Sequence, residues 1–298
     1  MSDEKKSMLA AGAAFSIFGL SYLFSKMALN VAEPMILLCV RFTITFIILN
    51  LLVITGFGKL NLRKKNLIGP VLVGILQPVL YFILENYGLK YTTTSFTGIV
   101  SSISPVFVTI LGVLLLKERP NKKQWFFIIL SIVGVAMASV GSSSGTNTWA
   151  GCLCLFGAYL IGSLYNILIR KLSSQFSSFE LTYVMFAVGF LFFTVLTFVQ
   201  YGRDTAGMLS AALGNRNFIL ACLYLGGASS VVAYMLANYS LSRLPVTRVS
   251  IFNCFATVVS VLSGVFLMGD PFTLVSAVSV ILILTGVTGV NYFASRLQ

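Results

Sequence analysis

The sequence predicts an all-α integral membrane protein of ten transmembrane helices, arranged as two inverted five-helix repeats with both termini cytoplasmic. Three observations carry that expectation: an apolar composition with few charges, a lopsided distribution of basic residues, and a repeat at a constant offset. Hydrophobic residues fill 57% of the 298 positions and charged residues only 9%, where a soluble domain carries about a quarter. Too little polar surface is left to cover the apolar side chains in water, so the solvent must be largely lipid. The formal net charge of +12 raises nucleic acid as a partner. No stretch combines a polar fold with a basic face, however, and basic residues collect in the cytoplasmic loops of membrane proteins. Nucleic acid is set aside, and the lipid bilayer is the expected partner.

A helix needs roughly 20 apolar residues to cross the hydrocarbon core. That window gives spans at about 8–29, 34–56, 66–89, 92–116, 122–140, 148–170, 179–201, 215–241, 246–268 and 273–295. The first, running on to Leu29 behind Lys5 and Lys6, has no convincing cleavage site and reads as an uncleaved span. Helix breakers mark the short connections: Glu33-Pro34, Arg119-Pro120, Gly141 to Gly145 and Asp270-Pro271. Glu118 and Asp270 read as helix starts rather than catalytic acids, Asp270 as an N-cap with Pro271 at the first helical position.

With the N-terminus inside, the cytoplasmic side receives Lys5, Lys6, Lys59, Arg63, Lys64, Lys65, Lys117, Arg119, Lys122, Lys123, Arg170, Lys171, Arg243, Arg248 and Arg296. The other side keeps Lys26, Arg41, Lys90, Arg203 and Arg216. This split orients the chain. The two halves, 1–141 and 148–298, match at an offset of 152 residues. Asn86-Tyr87-Gly88-Leu89 corresponds to Asn238-Tyr239-Ser240-Leu241, Glu118 to Asp270 and Gly134 to Gly286. Five helices is an odd number, so the second copy starts on the opposite side of the membrane. Inverted repeats of this kind place a substrate site near the midplane.

Those matched stretches also resemble a known family. Leu89-Lys90-Tyr91-Thr92, Ser104-Pro105-Val106-Phe107 and Leu114-Leu115-Leu116-Lys117-Glu118-Arg119-Pro120 are similar to the EamA repeat of the drug/metabolite transporter superfamily. Gln124-Trp125 with Ile132-Val133-Gly134-Val135 continues the pattern. Phe266-Leu267-Met268-Gly269-Asp270-Pro271 and Leu284-Thr285-Gly286-Val287 look like the second ending. Lys26 and Arg41-Phe42 fit the family's early helices, and the sixth span offers no clear match to Lys26. The resemblance implies a multi-pass transporter of the bacterial inner membrane that exports amino acids or small metabolites, with relatives that carry phosphorylated sugars or nucleotide sugars.

Polar side chains at membrane depth usually face a protein interior or a water-filled cavity, so their helical spacing outlines a pathway. Gln77, Tyr81 and Glu85 fall at i, i+4 and i+8, one stripe on one helical face. Ser230, Tyr234 and Asn238 repeat that spacing. Ser101 and Ser104 share a face of the fourth span, and Ser101 corresponds to Asn253 at the offset. Tyr159, Ser163 and Asn166 lie on the sixth span and Tyr22 on the first. The substrate-binding candidates are therefore Gln77, Tyr81, Ser101, Ser104, Asn166, Tyr234, Asn253 and Tyr22, around a cavity lined by spans 1, 3, 4, 6, 8 and 9. For isolated Ser and Thr the plainer reading is helix–helix hydrogen bonding. Pro78 and Pro105 are expected kink points. Glu85, Arg41 and Lys26 form a candidate outer cluster for gating or proton coupling, against the simpler alternative that the long basic stems snorkel to the interface.

Histidine is absent and the five cysteines fall in apolar segments, which removes His-based catalysis, metal ligation and a disulfide framework from consideration. No cofactor is implied and no enzyme is expected. Without a phosphate-binding GxxxxGK[ST] loop, transport must draw on solute or ion gradients, so protons join the small-molecule solute as a partner. An antiporter of phosphorylated solutes and a passive facilitator stand as alternatives.

Overall fold

The computed structural model describes residues 3–63, 65–116, 122–141 and 148–294. Lys64, Lys117, Glu118, Arg119, Pro120 and Arg296 lie outside the described residues, as does most of the Gly141 to Gly145 connection. Among the described residues every regular element is helical, and eight stretches are long and apolar enough to cross a membrane.

In chain order the helices are α1 (Asp3–Leu29), α2 (Pro34–Ile54), α3 (Ile68–Lys90), α4 (Thr94–Ser101), α5 (Ser104–Leu116), α6 (Lys122–Gly141) and α7 (Trp149–Leu172). They continue with α8 (Ser178–Tyr201), α9 (Thr205–Leu213), α10 (Arg216–Arg243), α11 (Val246–Ile251), α12 (Asn253–Ser263) and α13 (Leu274–Ala294). The short helix α9 stands where the sequence reading placed a connection. Its Thr205 and Ala212 are buried beside α8 and α10, so tertiary contacts support a segment of little more than two turns.

Several helix starts carry a capping signal. Thr93 accepts from the Phe96 amide at 3.2 Å and Thr148 from the Gly151 amide at 3.1 Å. Ser177 and Glu180 form a reciprocal capping box, and Pro34 opens α2. Asp270 departs from its expected role. The next helix begins only at Leu274, and the Asp270 carboxylate instead accepts from the Ser95 amide, at 2.7 Å, in the first turn of α4. It caps a helix distant in sequence, where the positive end of the helix dipole favours an anion.

α6 and α13 pack on each other, with Gly134 and Gly286 at the contact. A β-carbon on Gly134 would lie 2.7 Å from Ile283, and one on Gly286 would lie 2.7 Å from the Phe127 carbonyl. These glycines, matched at the 152 offset, let the two backbones approach closely. The remaining helices form the central bundle, in which α3 packs on α7, α1 on α10 and α12, α4 on α12, and α2 on α8. At the α4–α12 contact the Thr257 hydroxyl donates to the Gly98 carbonyl at 3.1 Å and the Ser260 hydroxyl to that of Thr94 at 2.9 Å. Serine and threonine thus serve there as interhelical donors.

Three interruptions shape the centre. In α3 the backbone at Gln77, before Pro78, leaves helical geometry (φ −144°, ψ 113°) within a π-helical stretch, Ile75–Leu80. The fourth predicted span breaks at Ser102 and Ile103, just before Pro105, and the ninth at Phe252. In α10 a second π-helical stretch covers Tyr224–Ala233 with no proline in it, so this distortion had no sequence marker of the kind Pro78 supplies.

Candidate functional site

The interruptions surround a cavity of about 80 Å³ at the centre of the bundle, room for about half a dozen waters. Of the predicted binding residues, Tyr22, Gln77, Tyr81, Ser104, Asn166, Tyr234 and Asn253 line it, and Glu85 and Arg41 join them. The π-helical geometry of α3 turns Gln77 inward, where its amide donates to the Tyr234 hydroxyl. One and two turns on, the Tyr81 hydroxyl donates to Glu85 at 2.7 Å. Tyr234 is wedged edge-on against Phe18 and Phe186, with centroids 5.0 and 5.1 Å away.

Arg41 enters from α2 and is 1% exposed. Its Nε donates to Ser230 at 3.0 Å and its Nη2 to Ser229 at 3.2 Å. The guanidinium carbon stands 4.2 Å from the centroid of the Phe82 ring, a cation–π contact in a desolvated setting. The α2–α10 contact that carries this arrangement is close: a β-carbon on Gly226 would lie 3.0 Å from the Arg41 carbonyl.

Two predicted site residues stand elsewhere. Ser101 is absent from the cavity wall; its hydroxyl turns back to the Gly98 carbonyl at 2.7 Å, and its carbonyl accepts from Asn253. Lys26 donates to the carbonyls of Leu89 at 2.8 Å and Thr92 at 2.5 Å, where α3 ends. Neither Lys26 nor Arg41 forms an ion pair with Glu85 among the described residues. Lys26 therefore caps a helix C-terminus, which explains its position without snorkelling. Lys90 pairs with Glu33 at 2.7 Å.

The sequence reading missed Phe15, Phe18, Phe82, Tyr165 and Ser229 in the wall. Phe18 stands one turn before Tyr22, so helical spacing held the signal. Tyr165 adjoins Asn166, and its hydroxyl donates to Asn238 at 2.7 Å. The reading followed polar stripes, so the phenylalanines of the wall fell outside it. All five cysteines are free.

A small cavity holding one buried arginine and one buried glutamate among helices of membrane-spanning length is the arrangement of a membrane transport protein. A model of the EamA-like transporter family matches residues 5–140 and again residues 149–292. The chain belongs to the EamA-like transporter family, within the drug/metabolite transporter superfamily. It is 34% identical to "Uncharacterized transporter YcxC" of Bacillus subtilis (strain 168), over 92% of this chain and 89% of that relative. It is 26% identical to "Phosphoenolpyruvate/phosphate translocator 1, chloroplastic" of Oryza sativa subsp. japonica, over 91% of this chain and 69% of the other. A solved crystal structure shares the fold with a TM-score of 0.69 at 19% identity, over 99% of each chain.

Proposed function

We propose that this protein is a secondary transporter that exports amino acids or related small metabolites by alternating access through the central cavity. The observation that carries the proposal is the wall itself, in which Arg41 and Glu85 are buried with Tyr22, Tyr81, Tyr159, Tyr165 and Tyr234 around one cavity. Charges at that depth mark a solute or ion pathway far more often than a structural feature. The breaks at Gln77, Ser102 and Phe252 give the bundle hinge points.

In the same proposal ten helices cross the bilayer as two inverted repeats, 1–141 and 148–298, with both termini cytoplasmic in the bacterial inner membrane. The uneven division of basic residues, the double match to one family model and the relatedness to bacterial transporters support it. Protons are the proposed coupling ion, with Glu85 as their site.

The test is purified protein in liposomes, presented with labelled amino acids with and without a pH gradient. Gradient-driven uptake of an amino acid is expected. Equal uptake without any gradient would make the protein a facilitator. Transport of phosphoenolpyruvate and of no amino acid would favour the second reading, a carrier of phosphorylated solutes, to which the similarity to the rice translocator points.

A further inference from the structure

We infer that Arg41 is the carboxylate anchor of the cavity and that Glu85 with Tyr81 seats a protonated amine, so the cargo is a small zwitterion; this rests on the amino-acid reading above. Arg41 and Glu85 are the only Asp, Glu, Lys or Arg among the described lining residues. Both hydrogen bonds of the guanidinium go to neutral serine hydroxyls, and the Phe82 face closes one side of it. A buried guanidinium is ordinarily completed by a carboxylate, whose two oxygens match its fork of donors. Here α10 and α3 fix the fork in place, and the one carboxylate of the wall, Glu85 on α3, feels the guanidinium charge without forming an ion pair with it.

Glu85 stands one turn beyond Phe82 on α3 and accepts from Tyr81 at 2.7 Å. Tyr22, Tyr81, Tyr159 and Tyr234 line the same cavity, and an acidic group among aromatic side chains is a setting that attracts an ammonium. One positive and one negative group match a solute of zero net charge. A phosphate dianion would face a single cation, because Lys26 is engaged on the α3 carbonyls.

The assay is uptake of labelled L-alanine into proteoliposomes, with ethylamine, lactate, N-acetyl-L-alanine and phosphoenolpyruvate as competitors. Alanine is expected to compete strongly and each single-ended analogue weakly. Losing a charge-assisted hydrogen-bonding partner should raise KM on the order of 10- to 100-fold in Arg41→Gln. Arg41→Lys keeps the charge without the fork and should fall between. The Ser229→Ala/Ser230→Ala double variant, with Arg41 intact, should raise KM for alanine while leaving ethylamine inhibition unchanged, which covers the case where Arg41→Gln does not fold. Ethylamine competing as well as alanine would overturn the anchor while leaving an amine-transport reading standing. Absence of transport of any standard amino acid would overturn the amino-acid reading and the anchor together.

Lys26 and Arg170 carry a separate inference, because each closes the same kind of joint. Arg170, near the end of α7, donates to the carbonyls of Leu241 at 3.1 Å and Ser242 at 2.6 Å, near the end of α10. Lys26, near the end of α1, donates to those of Leu89 at 2.8 Å and Lys90 at 3.4 Å. Leu241 and Ser242 are Leu89 and Lys90 advanced by 152 (89 + 152 and 90 + 152), so Arg170 is the counterpart to Lys26 that sequence matching did not find. The joints lie far apart. The Ser240 hydroxyl donates to the Ser7 carbonyl at 2.8 Å, which puts the Arg170 joint beside the start of α1. Lys26 lies 19 residues further along that continuous helix, about 28 Å away, close to the thickness of a hydrocarbon core.

The geometry points to paired latches, each holding one end of the bundle closed. In hydrogen exchange, Lys26→Ala should speed the amides of 89–96 roughly five- to tenfold and leave 241–246 unchanged, with Arg170→Ala doing the reverse and Lys26→Arg retaining protection. A Ser104→Cys probe in a variant without the native cysteines should react with an impermeant maleimide from one face in Lys26→Ala and from the opposite face in Arg170→Ala. Labelling from the same face in both, or exchange that rises at both ends in either, would overturn the latch assignment.

Discussion

The side-chain amide of Asn253 donates to the backbone carbonyl of Ser101 at 2.6 Å, and these two residues correspond at the 152 offset. The bond forms where both spans tighten into turns that interrupt the α-helical ladder, at Ser102–Ile103 and at Phe252. Each break frees carbonyls, and a buried carbonyl without a donor is costly. The Ser163 hydroxyl meets the neighbouring carbonyl of Ser104 at 3.2 Å. Two polar side chains thus stabilise a discontinuity beside the cavity.

Replacing Asn253 by Leu should therefore destabilise the protein by about 1–3 kcal/mol. Thermal unfolding in detergent micelles measures this. Asn253→Asp should not restore stability, since an ionised carboxylate offers no donor to the Ser101 carbonyl. An unchanged melting temperature in Asn253→Leu would mean that the Ser104 hydroxyl, which donates to the same carbonyl at 2.8 Å, satisfies it alone.

The contact between α6 and α13 depends on the small size of Gly134 and Gly286. Gly134→Leu should push the helices apart and lower stability by about 1–3 kcal/mol. Because these helices contribute nothing to the cavity wall, KM for a transported solute should not move while the melting temperature falls. A changed KM at full stability would contradict the division between peripheral pair and central bundle.

Glu180 gathers the segment before α3 against the start of α8. Its carboxylate accepts from the amides of Asn61 and Ser177 at 3.0 and 2.8 Å and pairs with Lys65 at 2.9 Å. Glu180→Ala should loosen the chain around Asn61 and Lys65 and speed trypsin cleavage at Lys65 and at the already exposed Arg63. With cytoplasmic termini, cleavage should accelerate in inverted vesicles and stay slow in right-side-out ones. The opposite sidedness would reverse the proposed orientation.

Glu85 is the proposed proton site, and Glu85→Gln keeps its size while removing its titration. Transport by the variant, at a raised KM because the same carboxylate seats the substrate amine, should lose the pH dependence of the parent protein, measured as initial uptake at saturating solute across a range of external pH. An identical profile in both proteins would remove Glu85 from coupling. Tyr81→Phe, which deletes the 2.7 Å hydrogen bond to Glu85, should shift the profile without flattening it.

Composition and periodicity made the apolar helices legible, and the i, i+4, i+8 stripe of Gln77, Tyr81 and Glu85 pointed to a wall that the structure brings together. Such patterns are local: one helix carries its own face wherever it packs. The role of Lys26 was not legible, because a lysine near a helix end reads the same whether it meets lipid headgroups or the carbonyls of α3. Asp270 misled for a related reason. Its neighbour Pro271 suggested a local cap, while its partner, the Ser95 amide, is 175 residues away.

What the sequence determined by itself was the solvent, the helical content and the family, since each follows from the kind and spacing of residues along one strand of text. Only the tertiary structure decided which charges meet. It set Arg41 on Ser229, Ser230 and Phe82, moved Lys26 out of the cavity, and gave Arg170 the place matching Lys26. Those outcomes depend on which helices approach closely enough for a side chain to reach across, and the small residues that permit the approach, such as Gly226 beside Arg41, acquire that meaning only once the helices are packed.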